Sequence, residues 1–532
     1  MEKYYTLTEK GAIQFNTTGS YNLDLFASIG SCREMAMNTP DILIKKFWEA
    51  YTENPINAIA ILFWARAVRN GAGERKVFEV LIKEVCNYFP EFIIDNISSI
   101  VELGRWSDLE YIYNTNTAIK TAICEYWSTA IKNKNALACK WLPKNTELYK
   151  DVQKSLQLTN AEMRRWIAKY SKTVEQQMCA KNWKEIDYSK IPSQALNLYK
   201  DAFLRNDKEH YIQDITTKKV NAGAIYPHEI LWNYAKFAGG YGWNNCDQAL
   251  NETVEAMWKM LPNYINKDMR FITVCDCSGS MTCKVGKFNA LSIARALSIY
   301  CAERLEGVWK DKAILFSSYP EFIDCSDCKT LVEKNNVYNK FDDCSNTNLE
   351  AVFKLILDAA KTCKDKSTIP NTILVLSDMQ MDSGCSSCNW YGGDISFMES
   401  MRAKYKLAGV EFPSIIWWNL DETNTGFVDS KYDNVAFASG FNPKIMQAVF
   451  EGMKVEHSTE GEKKVKIDPM VVMNKALDSI MKILKLDNLK TNIPQALKGI
   501  QLNKTIGQSI RCAAKKVSNG DTFLDRIQEL SN

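Results

Sequence analysis

The spacing of apolar residues changes near residue 265, and no single fold class accommodates both halves. Upstream, apolar side chains recur every three or four residues in runs of roughly 10–20, the pattern of helices that bury one face. The runs 56–68, 76–88, 118–131, 161–178 and 194–204 are examples. Short breaks separate them, such as Asn70-Gly71-Ala72-Gly73, Phe89-Pro90 and Trp141-Leu142-Pro143. No strict repeat is visible. Antiparallel helix pairs stacked as an all-α, HEAT-like α-solenoid are the natural reading, with an irregular helical domain as the alternative.

Downstream, short β-branched runs alternate with helical ones. Strands are expected at 269–275, 313–317, 372–376, 414–418 and 434–438, with a hairpin partner at 321–324. Helices are expected at 288–305, 349–361, 395–407 and 443–452. This alternation predicts an α/β doubly wound domain, a mostly parallel sheet wrapped by helices on both faces. Its ligand site is expected at the carboxyl ends of the strands. Segment 455–466 is polar and charged and reads as a linker or exposed loop. The expected domains are therefore 1–265, helical; 266–455, α/β; and 456–532, a linker with a helical tail. Beyond residue 470, basic residues outnumber acidic ones two to one. Such a tail suits RNA, a membrane surface or an acidic partner, or is simply a solvated helix face.

Composition narrows the function classes. Lys and Arg total 66 against 63 Asp and Glu, so any nucleic-acid site must be a local patch rather than a global attraction. The amino terminus does not read as a signal peptide, and no run approaches the roughly 20 apolar residues that cross a bilayer. A cytoplasmic location is expected, with the nucleus as the alternative and no membrane partner. The 17 cysteines then read as mostly reduced thiols. With only three histidines, a Ser-His or Cys-His nucleophilic enzyme is disfavoured, and the chain is expected not to be an enzyme.

The strongest local signal is Asp276-Cys277-Ser278-Gly279-Ser280, between the first expected strand and a helix. It delivers a carboxylate and two hydroxyls on one tight loop. Hard oxygen groups of this kind suit Mg²⁺ or Mn²⁺. Thr347, just ahead of the helix at 349, and Asp378, just after the strand at 372–376, belong to loops of the same sheet edge, so one cation could gather all three. A turn with Ser N-caps is the plainer reading of the first loop.

This set resembles the metal-ion-dependent adhesion site of von Willebrand factor type A domains. The resemblance implies that Ser278, Ser280 and Thr347 offer hydroxyl oxygens. It implies that Asp276 and Asp378 act directly or through water, and that one coordination position stays open for an anionic group of a partner. A longer resemblance runs through Phe63-Trp64-Ala65-Arg66, Arg69 to Arg75, Gly104-Arg105-Trp106-Ser107-Asp108-Leu109, Lys140-Trp141-Leu142-Pro143, Pro192-Ser193, Leu376-Ser377-Asp378-Met379, Trp417-Trp418-Asn419-Leu420 and Ser439-Gly440-Phe441. These segments look like a family defined as a domain of unknown function that pairs a helical region with a type A domain. The architecture is similar to the Ro autoantigen and its TROVE relatives, which implies an RNA-binding ribonucleoprotein component by analogy. A scaffold that captures an acidic protein through the cation, without RNA, is the alternative.

Candidate RNA contacts follow from cations interleaved with aromatics: Lys140, Lys144, Arg164, Arg165 and Lys169 around Trp166 and Tyr170, and Arg66, Arg69, Arg75 and Arg105 around helix turns. Trp166 and Tyr170 are also spaced for one helix face packed into a core. Two C-x-x-C pairs, Cys325/Cys328 and Cys385/Cys388, invite a zinc reading. They are expected at opposite ends of the sheet, which favours separate thiols.

Overall fold

Three neighbouring strands in which every residue is buried set the centre of the α/β half: β3 (Phe271–Asp276), β8 (Thr372–Ser377) and β9 (Ser414–Asn419). Successive strand residues point to opposite faces, so unbroken burial means that both faces are covered. The computed structural model describes residues 5–7, 13–218, 225–237, 248–265, 270–341, 345–363, 369–380, 397–422, 426–427, 434–457 and 463–489.

The six-stranded sheet has the order β10-β9-β8-β3-β6-β7, with β6 at Lys312–Phe316, β7 at Glu321–Asp324 and β10 at Val435–Ser439. All pairs are parallel except β6 with the edge strand β7. The chain starts this sheet at its middle, moves out through β6 and β7, then returns to the other flank of β3 as β8. Strand order therefore reverses between β3 and β8, the kind of switch point where ligands enter such sheets. The small pair β4 (Lys284–Val285) and β5 (Phe288–Asn289) follows β3, and the helix Ala290–Glu303 packs under the sheet centre.

The amino-terminal half is helical from Tyr21 onward. Its centre is the helix Pro55–Arg66, where every residue from Ala58 to Arg66 is buried. A helix apolar all round must be enclosed on all sides. Helices Pro40–Glu53, Arg75–Tyr88 and Pro469–Met481 surround it. The last of these comes from the carboxyl-terminal part of the chain.

The two halves interlock at the carboxyl ends of β9 and β10. Phe15 and Phe427 exchange backbone hydrogen bonds of 2.8 Å in both directions. The Gly30 amide donates to Ser439 Oγ at 2.9 Å, and Asn442 Nδ2 donates to Gly71 O at 2.6 Å. A β-carbon on Gly30 would sit 2.2 Å from the Gly440 nitrogen, so only backbone fits there. Arg33 holds buried Glu74 through two bonds, of 3.0 and 2.8 Å, and also pairs with Glu422 of the α/β half. His228 is buried with its ring against Phe288 and Phe441.

Four expectations change. The amino terminus opens with a hairpin, β1 (Tyr5–Leu7) and β2 (Ile13–Phe15), rather than a helix. The run 161–178 is two helices, Asn160–Ser171 and Val174–Cys179, because Lys172 takes a left-handed φ of 42° and Thr173 caps the second helix. The expected linker 455–466 contains a hairpin, β11 (Met453–His457) with β12 (Lys463–Ile467), whose register pairs Val455 with Val465. Its charges hid an alternation of apolar residues, Met453 and Val455 on one strand and Val465 and Ile467 on the other. The start of the basic tail is the helix Pro469–Met481, which is not a solvated element: Val472, Met473, Leu477 and Ile480 are buried. Among the described residues, no helix is long and apolar enough to cross a membrane.

Two predictions follow from these buried charges. Arg66 is 3% exposed and forks onto Asp108 at 2.7 and 3.1 Å. Asp108→Ala leaves that guanidinium buried without its counter-charge and should cost about 3–5 kcal/mol in chemical denaturation. Exposed Arg69→Ala should change stability by less than about 0.5 kcal/mol. Burial, helped by the Arg33 charge, lowers His228 from 6.5 to about 3. Above pH 6.5 both states leave it neutral. Below that, the unfolded chain takes up a proton that the folded chain refuses until about pH 3, so this residue erodes stability across that window. Denaturation midpoints of His228→Phe should fall less between pH 7 and 5 than those of the parent.

Candidate functional site

The apolar run of β3 ends on a carboxylate, and the sheet carries that carboxylate to the switch point. Asp276 is fully buried. The Cys277 amide adds one more rung to the ladder by donating to Phe316 O at 2.7 Å. The chain then turns, because the Ser278 amide donates to Asp276 Oδ1 at 2.9 Å, the local bond that Asp favours in turns. A short 3-10 turn, Gly279–Thr282, sets Ser278 Oγ 3.1 Å from Ser280 Oγ.

The loop bearing Thr347 joins through its backbone. The Gly279 amide donates to Ser345 O at 3.1 Å. Ser317, just beyond β6, clamps the same loop: its Oγ donates to Asn346 O at 3.1 Å, and its carbonyl accepts from the Asn348 amide at 3.0 Å. Thr347 is 1% exposed. Asn348 then caps the helix Leu349–Thr362.

The third loop is tied by a residue that sequence reasoning missed. Ser377, the last residue of β8, donates its hydroxyl to Asp276 Oδ2 at 2.6 Å and accepts from the Met379 amide at 3.0 Å. Asp378 lies between, 1% exposed, and its Oδ1 accepts from the Gln380 amide at 3.0 Å. Met379 has a left-handed φ of 63°, costly for a residue with a β-carbon. Its side chain is 3% exposed and shares a small apolar pocket with Trp417, Phe427 and Phe437, which offsets that strain. The turn holding Asp378 is thus fixed from the core side.

Asp276, Ser278, Ser280, Thr347 and Asp378 therefore come from three loops joined by direct hydrogen bonds at one edge. Burial first, and then the Asp378 charge, raise the Asp276 carboxyl to about 7 against the pull of Ser377 and Ser278. A second acidic step follows β9 at Asp421 and Glu422. The Cys283 thiol is pushed up to about 12 by burial, then by the charges of Asp421 and Asp378. Sequence carried a signal for this: acidic residues standing at or just past the end of a buried strand, as Asp276 and Asp378 do. Among the described residues, no three His, Cys, Asp or Glu side chains form a metal-holding group. A cation here would draw on serine and threonine oxygens, a donor set that suits Mg²⁺ better than zinc.

The nine basic candidates differ in exposure and pairing. Arg66 is internal and committed to Asp108, so it is unavailable to an outside polymer. Arg75 pairs with Glu79 at 2.7 Å and Lys140 with Glu175 at 3.1 Å. Arg69 and Arg105 are exposed. Burial, then the Arg66 and Arg75 charges (with Asp108 opposing), hold the Arg105 guanidinium below its ordinary range. Lys144, Arg164, Arg165 and Lys169 are exposed. The aromatics among them face inward: Trp166 Nε1 donates to Ile131 O at 3.2 Å, and Tyr170 packs 5.0 Å from the Trp166 ring. Cys325 and Cys328 lie at the far end of the sheet, since β7 runs antiparallel to β6 and Asp324 pairs with Lys312. Cys385 and Cys388 lie outside the described residues.

Comparison with known proteins follows the same division of the chain. Residues 104–270 match the family described as domain of unknown function DUF2828, and residues 270–477 match domain of unknown function DUF7788. An uncharacterized protein of Acanthamoeba polyphaga mimivirus, L728, is 24% identical over 513 residues, covering 84% of each chain. The chain thus carries two adjoining regions similar to domains of unknown function, and their shared boundary at residue 270 is the point where the helices give way to β3.

Proposed function

We propose that this chain is a binding protein, a Ro-like RNA-binding component whose α/β half is a von Willebrand type A-like domain with an adhesion-type Mg²⁺ or Mn²⁺ site. The observation that carries the reading is the junction of three loops at the sheet switch point, where Ser377 ties Asp276 to the loop of Asp378. Asp276, Ser278, Ser280, Thr347 and Asp378 would hold the ion, and its remaining position would take an anionic group of a partner. The helical half, read as HEAT-like or TROVE-like, would supply the RNA surface through Arg69, Arg105, Lys144, Arg164, Arg165 and Lys169. Catalysis is not part of this proposal. The nearest glutamate of the acidic edge, Glu422, is paired with Arg33 and is poorly placed as a base.

A second reading is a scaffold that binds an acidic protein through the same ion, without RNA. It is favoured by the buried ion pair of Arg66, which removes that cation from an RNA surface, and by the carboxylates that already pair with Arg75 and Lys140. Crosslinking of co-purified RNA to the full chain, with and without chelator, separates the readings. Arg164→Ala with Arg165→Ala should reduce crosslinked RNA severalfold in the first. Unchanged crosslinking removes those residues from the interface, and absence of RNA leaves the scaffold.

The cation makes its own prediction. Mg²⁺ at a hundredfold excess over its dissociation constant should stabilise the folded chain by about 2.7 kcal/mol, and Asp276→Ala should abolish the effect. Binding must expel the proton that Asp276 keeps up to about pH 7, so the stabilisation should grow between pH 6 and 8. Melting curves in Mg²⁺ and in chelator at those pH values check it.

A further inference from the structure

A cleft of about 360 Å³ opens between the two halves. One wall is the turn after helix Pro55–Arg66, another is the segment after β10, and the third is the helix Pro469–Met481. This size is in the range of small-molecule sites, roughly 300–1,000 Å³. Its floor is apolar, with Trp64, Ile445 and Ala476. Its charged lining is three lysines, Lys444, Lys475 and Lys482, against Glu451 and Asp478.

Each carboxylate has a partner on its own helix. Gln447 Nε2 donates to Glu451 Oε1 at 2.8 Å, and Lys475 lies 3.8 Å from Asp478. Lys444 Nζ finds the neutral Asn70 Oδ1 at 2.8 Å, and burial, opposed by the Glu451 charge, holds its ammonium below the ordinary lysine range. The Lys482 side chain has no ion-pair partner among the described residues. Three ammonium groups against two carboxylates thus leave the lining with one surplus positive charge beside the apolar floor. Compact, multiply donating ammoniums match the spread charge of a phosphate.

We propose that this cleft binds a small phosphate-bearing molecule, with Lys444 and Lys482 on the phosphate and the Trp64, Ile445 and Ala476 floor under the rest. The site is independent of the proposed cation. It lies at the end of β10, three strands from Asp276, a separation of roughly 14 Å at ordinary strand spacing. Because its walls come from both halves, an occupant would also brace their junction.

Calorimetric titration of the full chain in chelator tests this, with adenosine monophosphate and inorganic phosphate as separate arms. Saturable binding in either arm, with a dissociation constant below about 1 mM, is expected. Lys444→Gln with Lys482→Gln should weaken it at least tenfold, and Lys482→Gln alone, at an exposed position, should weaken it severalfold without disturbing the fold. Binding of the nucleotide but not of phosphate would show that the floor contributes. Failure of both probes to saturate, or variants that bind as tightly as the parent, would overturn the proposal. The chelator keeps either result separate from the fate of the cation reading.

Discussion

Two aspartates buried side by side at the centre of a parallel sheet are the constraint around which the rest is arranged. Asp276 ends β3 and Asp378 directly follows the neighbouring β8, and each is at most 1% exposed. Like charges removed from water cannot both stay ionised without compensation. The chain supplies part of that compensation itself, through the Ser377 hydroxyl and the Ser278 amide on Asp276. Even so, burial and the Asp378 charge leave the Asp276 carboxyl raised to about 7. That electrostatic strain, more than any motif, is what the proposed divalent ion would relieve.

The same edge of the sheet is where the helical half sits. Arg33 spans the junction, with Glu74 on one side and Glu422 on the other. Glu422 follows Asp421, whose charge reaches Cys283 together with that of Asp378. The helical half thus borders the acidic edge on the β9 and β10 side. Thr282, Ser345 and Asn346, on the loops after β3 and before Thr347, are exposed. The close backbone approach of Gly30 to Gly440, and the Asn442 side-chain amide on the Gly71 carbonyl, hold the two halves and tolerate little sliding. The helix Pro469–Met481 completes the lock by packing on Pro55–Arg66.

Much of this was legible in sequence where one physical signal dominated. Continuous apolar runs marked β3, β8 and β9 because those strands are covered on both faces. The hairpin partner Glu321–Asp324 appears as expected, antiparallel on the edge. Asp276, Ser278, Ser280, Thr347 and Asp378 stood out because each falls on a loop between a strand and a helix. What escaped depends on partners far along the chain. Ser377 reads as an ordinary strand end until Asp276, about a hundred residues earlier, lies beside it. Arg66 reads as a surface cation until Asp108 encloses it. The hairpin at 453–467 was masked by its lysines and glutamates, which outweigh its few apolar residues in composition but not in register.

The most direct test is anomalous scattering from crystals of the full chain grown with Mn²⁺. The account predicts a single strong peak within coordinating distance, about 2.0–2.3 Å, of oxygens from the Asp276, Thr347 and Asp378 loops together. A map with no Mn²⁺ at that junction at millimolar concentration, or with the ion held elsewhere, would contradict it.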